Sequence, residues 1–288
     1  MGAQASHRDI HFTSADGLML YGRDYPASDG KTPILCLAGL TRTSRDFEPL
    51  AHWLAGKRRL ITMDYRGRGR SAYAADPLTY RPDIELGDAL RLLDHLGIEQ
   101  VNIIGTSRGG IIAMIMAAQF PQRLKGVLLN DVGPVIERAS LLRIRSYLGK
   151  ALAFTNWDDA VTALKDSNPG FEQLSDADWL SFAHRVFIEE NGRISQDYDL
   201  RLAKAFPTDE EIEKADSPDL WPLFDALMAF PVMVLRAENS DLLSAQTVAQ
   251  MKKRHARLAA YTIKDRGHVP FLDEPGAKAA IKAWLEIV

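Results

Sequence analysis

The chain of 288 residues predicts an α/β fold, a mostly parallel sheet with helices on both faces, carrying an inserted helical cap. Three observations lead there. Apolar runs of strand length alternate with amphipathic runs of helix length from Pro33 to Asn130 and again from Pro231 to Val288. That alternation stops between about Pro134 and Ser217, where only helical patterns are visible. Finally, the apolar run Val101 to Ile104 feeds directly into Gly105-Thr106-Ser107-Arg108-Gly109, and a helix-like run from Ile111 to Ala118 follows. Strands that alternate with helices form parallel sheets covered on both faces, whose carboxyl-end loops make the working edge.

The elements follow in order. His11 to Thr13 and Leu18 to Tyr21 read as two strands joined by the turn Ala15-Asp16-Gly17. Pro33 to Leu37 reads as a buried strand, Phe47 to Leu54 as a helix and Leu60 to Tyr65 as a strand. A helix with apolar positions Leu86, Leu90 and Leu93 precedes the strand into Ser107, and Gly126 to Asn130 is the next strand. In the insertion, Leu141, Ile144, Leu148 and Leu152 mark one amphipathic helix, and Trp179, Phe182 and Val186 mark another. Ser167-Asn168-Pro169-Gly170 breaks them apart. Ser217-Pro218 reads as an N-cap with a first-turn proline. The strand Pro231 to Leu235, a helix from Ser244 to Lys253, the strand Ala260 to Ile263 and a helix running to Val288 complete the pattern. The expected division is a core of residues 1–134 and 218–288 and a helical cap of residues 135–217.

A net charge of -3 gives no field for polyanions, and the short run Arg66 to Arg70 does not reverse that, so nucleic acid is not expected as a partner. The single cysteine, Cys36, lies in an apolar run and points to a reducing compartment, with the cytoplasm as the expected location. The N-terminus lacks an apolar h-region. No stretch approaches the roughly 18 uninterrupted apolar residues of a membrane span. Met1 to Ser6 matches the pattern M-G-x-x-x-S of myristoylation, a match too short to build on. Gly67-Arg68-Gly69-Arg70-Ser71-Ala72 imitates a dinucleotide fingerprint, but Pro77 and Pro82 follow where a long apolar helix is required, so no nucleotide cofactor is expected.

The chemistry centres on Ser107. A strand that reverses into a helix within one or two residues forces the turning residue into strained angles, and Gly105 and Gly109 leave the room for it. The serine hydroxyl is thereby lifted to the sheet's end, above free backbone N–H groups of the following helix, and is read as a nucleophile. Such a hydroxyl needs a base, and the base needs an orienting group. Among the seven histidines, His268 follows Gly267 just after the last strand, on the same edge as Ser107. His52 and His95 fall in predicted helices, His255 just past one, His184 in the cap, and His7 and His11 before the core. For the acid, Asp241 sits in the loop after Pro231 to Leu235 and gives the chain order Ser107, Asp241, His268. Asp131, just past Gly126 to Asn130 on the same edge, is the alternative, and Glu238 is read as a solvated loop charge. Oxyanion donors are expected from the backbone N–H groups of Arg108 and of Leu40, where Gly39 permits close approach. The Arg108 and Arg42 side chains are given no role.

With Gly105 to Gly109, Gly39, Asp241 and Gly267-His268 assembled, the chain resembles the α/β-hydrolase family, in the subgroup with a helical cap after the sixth strand. The similarity spans nearly the whole chain outside the cap. The resemblance implies an eight-stranded sheet, a Ser, Asp, His triad without metal or organic cofactor, and oxyanion-hole roles for Leu40 and Arg108. Many members have His-Gly where this chain has Ala38-Gly39. A serine nucleophile disfavours the family's dehalogenase and epoxide-hydrolase chemistries. The expected activity is hydrolysis of a small carboxylic ester or lactone through an acyl-enzyme. The same triad could serve carbon-carbon bond hydrolysis or acyl transfer, and the scaffold could also be a non-catalytic ligand-binding protein.

Overall fold

Buried on both faces at its centre and partly exposed at its two edge strands, one sheet collects at its carboxyl edge the loops that matter. The structure, a computed structural model, describes residues 6–214 and 219–288. Strands β1 (Arg8–Thr13) and β2 (Met19–Tyr25) form the antiparallel start, followed by β3 (Ile34–Leu37), helix α1 (Glu48–Leu54), β4 (Leu60–Asp64) and α2 (Pro82–His95). Next come β5 (Val101–Thr106), α3 (Arg108–Gln119) and β6 (Leu124–Asn130). The inserted segment holds α4 (Arg138–Tyr147), β7 (Ala153–Phe154), α5 (Trp157–Ser167), α6 (Asp176–Val186), β8 (Phe187–Glu190), β9 (Arg193–Gln196) and α7 (Asp209–Lys214), and α8 (Trp221–Asp225) follows it. The core resumes with β10 (Val232–Ala237), α9 (Ala245–Arg254), β11 (Leu258–Ile263) and α10 (Pro275–Leu285).

The eight-stranded sheet has the order β1-β2-β4-β3-β5-β6-β10-β11. β2 runs antiparallel to β1 and β4, and every other pairing is parallel. β3, β4 and β5 are buried along their whole length, as strands covered by helices on both faces must be. This order sets the carboxyl ends of β3, β5, β6 and β10 side by side. Residues 38–42, Ser107, Asp131 and 238–243 therefore share one edge.

The insertion differs from a purely helical cap. Besides its helices it contains a three-stranded antiparallel sheet, β7-β9-β8. The helix expected through Leu152 stops at Tyr147, because Leu148 turns into extended backbone with ψ 128 and is buried, while Leu152 is exposed. Helix α5, not among the expected elements although Trp157, Ala160, Val161 and Leu164 recur at helical spacing, starts where the Asn156 side chain caps the Asp159 N–H at 2.9 Å. α6 starts with a capping box between Ser175 and Asp178. Phe171, Trp179, Phe182, Phe187 and Ile194 form a hydrophobic cluster separate from the main core, and Phe271 of the core packs against it. The Ser217-Pro218 cap and the first five residues of the M-G-x-x-x-S match lie outside the described residues; α8 opens at Trp221 with Pro222 in its first turn. No helix among the described residues is long and apolar enough to cross a membrane.

Helix α3 and strand β3 approach each other backbone to backbone. A Cβ placed on Gly109 would lie 2.1 Å from the Leu37 carbonyl oxygen, and one on Gly105 would lie 2.6 Å from the Gly109 backbone. Backbone atoms cannot swing aside as a flexible side chain can. Gly109→Ala is therefore expected to cost about 3 kcal/mol or more in stability, read as a lowered urea midpoint or loss of folded protein.

Candidate active site

Ser107 occupies the turn between β5 and α3 with φ 50 and ψ -113, a strained left-handed conformation for a residue with a side chain. The turn is held on both sides. The Ser107 N–H donates to the Asn130 carbonyl at 3.0 Å, and the Gly109 N–H donates to the Ala38 carbonyl at 3.1 Å. The second bond ties the start of α3 to the loop that leaves β3.

From this position Ser107 Oγ lies 2.9 Å from His268 Nε2, and His268 Nδ1 lies 2.8 Å from Asp131 Oδ2. A neutral imidazole that gives its Nδ1–H to a carboxylate presents Nε2 as an acceptor to the hydroxyl, which is the tautomer a general base requires. Asp131 is fully buried at φ 55, directly after β6. Its Oδ1 accepts the Ala237 N–H at 2.8 Å, and its Oδ2 also accepts the Ser240 hydroxyl at 2.7 Å.

Asp241, the acid preferred on chain order, is not at the histidine. Its carboxylate takes both ends of the Arg143 guanidinium from α4, with Nη2 to Oδ1 at 2.9 Å. The reason is local. Ser240 Oγ donates to Asp131 and accepts the N–H groups of Leu242 and Leu243 at 3.2 and 3.0 Å, which folds the loop after β10 inward at Ser240 and sends the next side chain to Arg143. The carboxylate beside His268 comes instead from the end of β6, the position of the sequence alternative Asp131. Glu238, read as a solvated charge, accepts the Asp265 N–H at 3.0 Å.

The loop after β3 turns its carbonyls away from the serine. Ala38 O accepts from Gly109 N–H and from the Tyr65 hydroxyl at 3.1 Å, Gly39 O accepts the Arg42 N–H at 3.2 Å, and Leu40 O accepts Arg68 Nε at 2.9 Å. A Cβ placed on Gly39 would lie 4.0 Å from Ser107 Cβ, so the backbone passes close to the nucleophile candidate. The Leu40 and Arg108 N–H groups make no hydrogen bond among the described residues. Two preorganised donors beside a serine suit a developing oxyanion.

Several buried groups were not legible as site residues. Glu85 of α2 sits between two guanidiniums: Oε2 accepts Arg108 Nε at 2.5 Å, and Oε1 is 2.9 Å from Arg68 Nη1. Arg68 also holds the Leu40 carbonyl, so one carboxylate links the loop after β3 to the start of α3. Burial pushes the Arg68 guanidinium down from its ordinary value, and the Glu85 carboxylate opposes that shift. Asn130 is buried and gives Nδ2 to Thr106 Oγ1 at 3.1 Å and to the Pro270 carbonyl at 3.0 Å, which connects the nucleophile strand with the histidine loop. Arg66 and Arg68, part of the run that looks like surface charge, are buried, and Arg66 is paired with Asp16 and Asp88. Gly67 to Ala72 forms a tight turn followed by extended chain rather than a helix.

A cavity of about 300 Å³ opens onto Ser107 and His268. Its far wall comes from the insertion through Ile144, Leu164, Phe182 and Val186, and its near wall includes Leu40 and Phe271. Among the described residues no group of three or more His, Cys, Asp or Glu is arranged to hold a metal ion.

Residues 34–281 match the Alpha/beta hydrolase family. The chain is 33% identical over 248 residues to the 3-hydroxybutyrate-oligomer hydrolase of Cupriavidus necator, covering 84% of each chain. It is 26% identical over 221 residues to 3-oxoadipate enol-lactonase 2 of Acinetobacter baylyi, covering 76% of this chain and 74% of that one. A crystal structure of an alpha/beta hydrolase from Novosphingobium aromaticivorans superposes with a TM-score of 0.92 at 43% identity, over 99% of each chain.

The geometry separates the two aspartates experimentally. Asp131→Asn is expected to slow fluorophosphonate labelling of Ser107 by roughly a thousandfold or more, the order of loss when an orienting carboxylate becomes an amide. Asp241→Asn is expected to leave it within about threefold. Labelling rates followed by intact-protein mass spectrometry make the comparison. Glu85→Gln leaves two guanidiniums facing a neutral amide, and is expected to cost about 3 to 5 kcal/mol in urea unfolding.

Proposed function

This chain belongs to the alpha/beta hydrolase family, and we propose that within it the protein is a serine hydrolase that cleaves a small carboxylic ester or lactone through an acyl-enzyme. The observation that carries the reading is the hydrogen-bonded series Ser107 Oγ, His268 Nε2, His268 Nδ1 and Asp131 Oδ2, with links of 2.9 and 2.8 Å, at the floor of a largely apolar cavity. Ser107 Oγ attacks the carbonyl carbon as His268 Nε2 takes its proton. The buried Asp131 carboxylate stabilises the imidazolium and fixes its orientation. The Leu40 and Arg108 N–H groups receive the oxyanion. As the tetrahedral intermediate collapses, the carbon–oxygen bond to the leaving alcohol breaks and His268 gives that oxygen its proton. Water, deprotonated in turn by His268, then attacks the acyl-enzyme, and its collapse returns the proton to Ser107 and releases the acid.

The relatives support ester or lactone bonds as the target. The Cupriavidus necator protein is named for oligomers of 3-hydroxybutyrate and the Acinetobacter baylyi protein for an enol lactone. A lactone is an ester closed on itself, so both need the same attack and the same oxyanion donors. In this reading residues 135–217 form a cap that walls the acyl or alcohol pocket over a core of residues 1–134 and 218–288. The buried free thiol of Cys36 fits a reducing compartment such as the cytoplasm.

Wild-type protein is expected to turn over p-nitrophenyl butyrate, and Ser107→Ala to lower kcat/KM by roughly a thousandfold or more. A spectrophotometric assay at neutral pH checks both, and equal rates for the two proteins would overturn the reading.

A further inference from the structure

Three guanidiniums line the cavity above Ser107: Arg42, Arg143 and Arg185. Two are neutralised within the protein. Arg42 pairs with Asp46, with Nε to Oδ2 at 2.8 Å, and Arg143 pairs with Asp241. Arg185 is different. It makes no ion pair within 4.0 Å and no hydrogen bond among the described residues. The carboxylates that act on it from a distance are Asp46, Asp273 and Glu274. Asp46 is committed to Arg42, and Glu274 to Arg266 and the Phe271 N–H. Asp273 stays beyond ion-pair reach.

Arg185 is nonetheless fixed in place. Its guanidinium carbon sits 4.9 Å from the centre of the Phe271 ring and 5.9 Å from that of Phe182, both of which line the cavity. A side chain extended into bulk water would need no such stacking, and holding one against a wall sacrifices rotamer freedom. Burial pushes its guanidinium down from the ordinary value, so the charge is held where hydration is incomplete. The remaining faces of a stacked guanidinium are its edges, where N–H groups accept a planar carboxylate in a two-point pair.

We propose that the cavity takes esters or lactones whose acid or alcohol part carries a second, free carboxylate, and that Arg185 binds that carboxylate. One guanidinium without a direct ion-pair partner matches a monoanion rather than a phosphate dianion. The cavity that holds both Arg185 and Ser107 is lined largely by apolar side chains, among them Ile144, Leu164, Val186 and Leu272, which suits an aliphatic spacer. The inference deepens the serine-hydrolase reading and rests on it for the bond that is cleaved, while the anion-binding part can be measured without turnover.

The test uses Ser107→Ala protein, which binds without consuming its ligand. Monomethyl esters of succinate, glutarate and adipate are titrated by calorimetry against the matching dimethyl esters. For at least one chain length the monoanion is expected to bind about tenfold or more tightly than its diester, the size of one charge-assisted hydrogen-bonded pair. Adding Arg185→Gln is expected to bring that ratio to within about twofold, and Arg185→Lys, which keeps the charge but not the fork, to leave an intermediate ratio. Equal affinity of monoester and diester at all three lengths overturns the proposal, and so does an unchanged ratio in Arg185→Gln. Thermal melts confirm that each variant is folded, and should Arg185→Gln not fold, the ratio in Ser107→Ala and its change in Arg185→Lys decide the matter. A protein that selects the monoanion yet is not labelled by fluorophosphonate at Ser107 keeps the anion site and loses the hydrolase reading, so the two failures are distinct.

Discussion

The contact on which the rest of the molecule depends is the approach of α3 to β3, where the Leu37 carbonyl and Gly109 leave no volume for a side chain. Because these backbones touch, the chain between β5 and α3 has a single residue in which to reverse direction, and Ser107 takes the strain. The same contact delivers the loop after β3 to the start of α3 and locks it there through Gly109 N–H and Ala38 O. Hydroxyl, helix terminus and donor loop are thus positioned together by one steric fact. The imidazole reaches them from the far end of the chain through the Asn130 side chain, which grips the Pro270 carbonyl.

Electrostatics then stiffens what sterics assembled. Burying Arg68 and Glu85 completely removes both from water, a cost repaid only by close pairing. Glu85 answers two guanidiniums at once: Arg108 opens α3 beside Ser107, and Arg68, from the turn after β4, holds the Leu40 carbonyl of the loop after β3. A parallel arrangement holds the base of the next turn, where Arg66 spans Asp16 and Asp88. These interior charges add little favourable energy of their own; their value lies in permitting one arrangement of loops and penalising others.

Much of this was legible in the sequence. The central strands β3, β4, β5, β6 and β10 announce themselves as apolar runs, because a parallel sheet covered on both faces leaves its residues no polar side, and the serine turn is marked by its paired glycines. His268 could be found from its position after the last strand. The choice of Asp131 over Asp241 could not, because it is decided by the inward fold at Ser240 and not by chain order. Asp131 did carry a signal, an aspartate directly after a strand on the working edge. Arg66, Arg68 and Glu85 were hidden because burial of a charge depends on partners distant in the chain. The small sheet of the insertion was missed because its strands are only two to four residues long, too short for alternation to show. Helix α5 could have been found from Asn156 and the acidic pair Asp158 and Asp159 behind it.

The Ser240 hydroxyl has a consequence for how this scaffold can be altered. One oxygen both closes the corner after β10 and touches the carboxylate behind the histidine, so the length of that corner is coupled to the hydrogen-bonded series from Asp131 to Ser107. Lengthening or shortening the connection by a residue would move a hydrogen-bond partner of Asp131 even though Ser107, His268 and Asp131 were unchanged. The middle of the insertion, from Trp157 to Ile194, carries its own apolar centre, whereas Ile144, Leu148, Tyr198 and Leu202 on either side pack into the main core. Segment exchange aimed at new specificity therefore belongs in that middle stretch, while the connection from Glu238 to Leu243 must keep its length and its Ser240 hydroxyl.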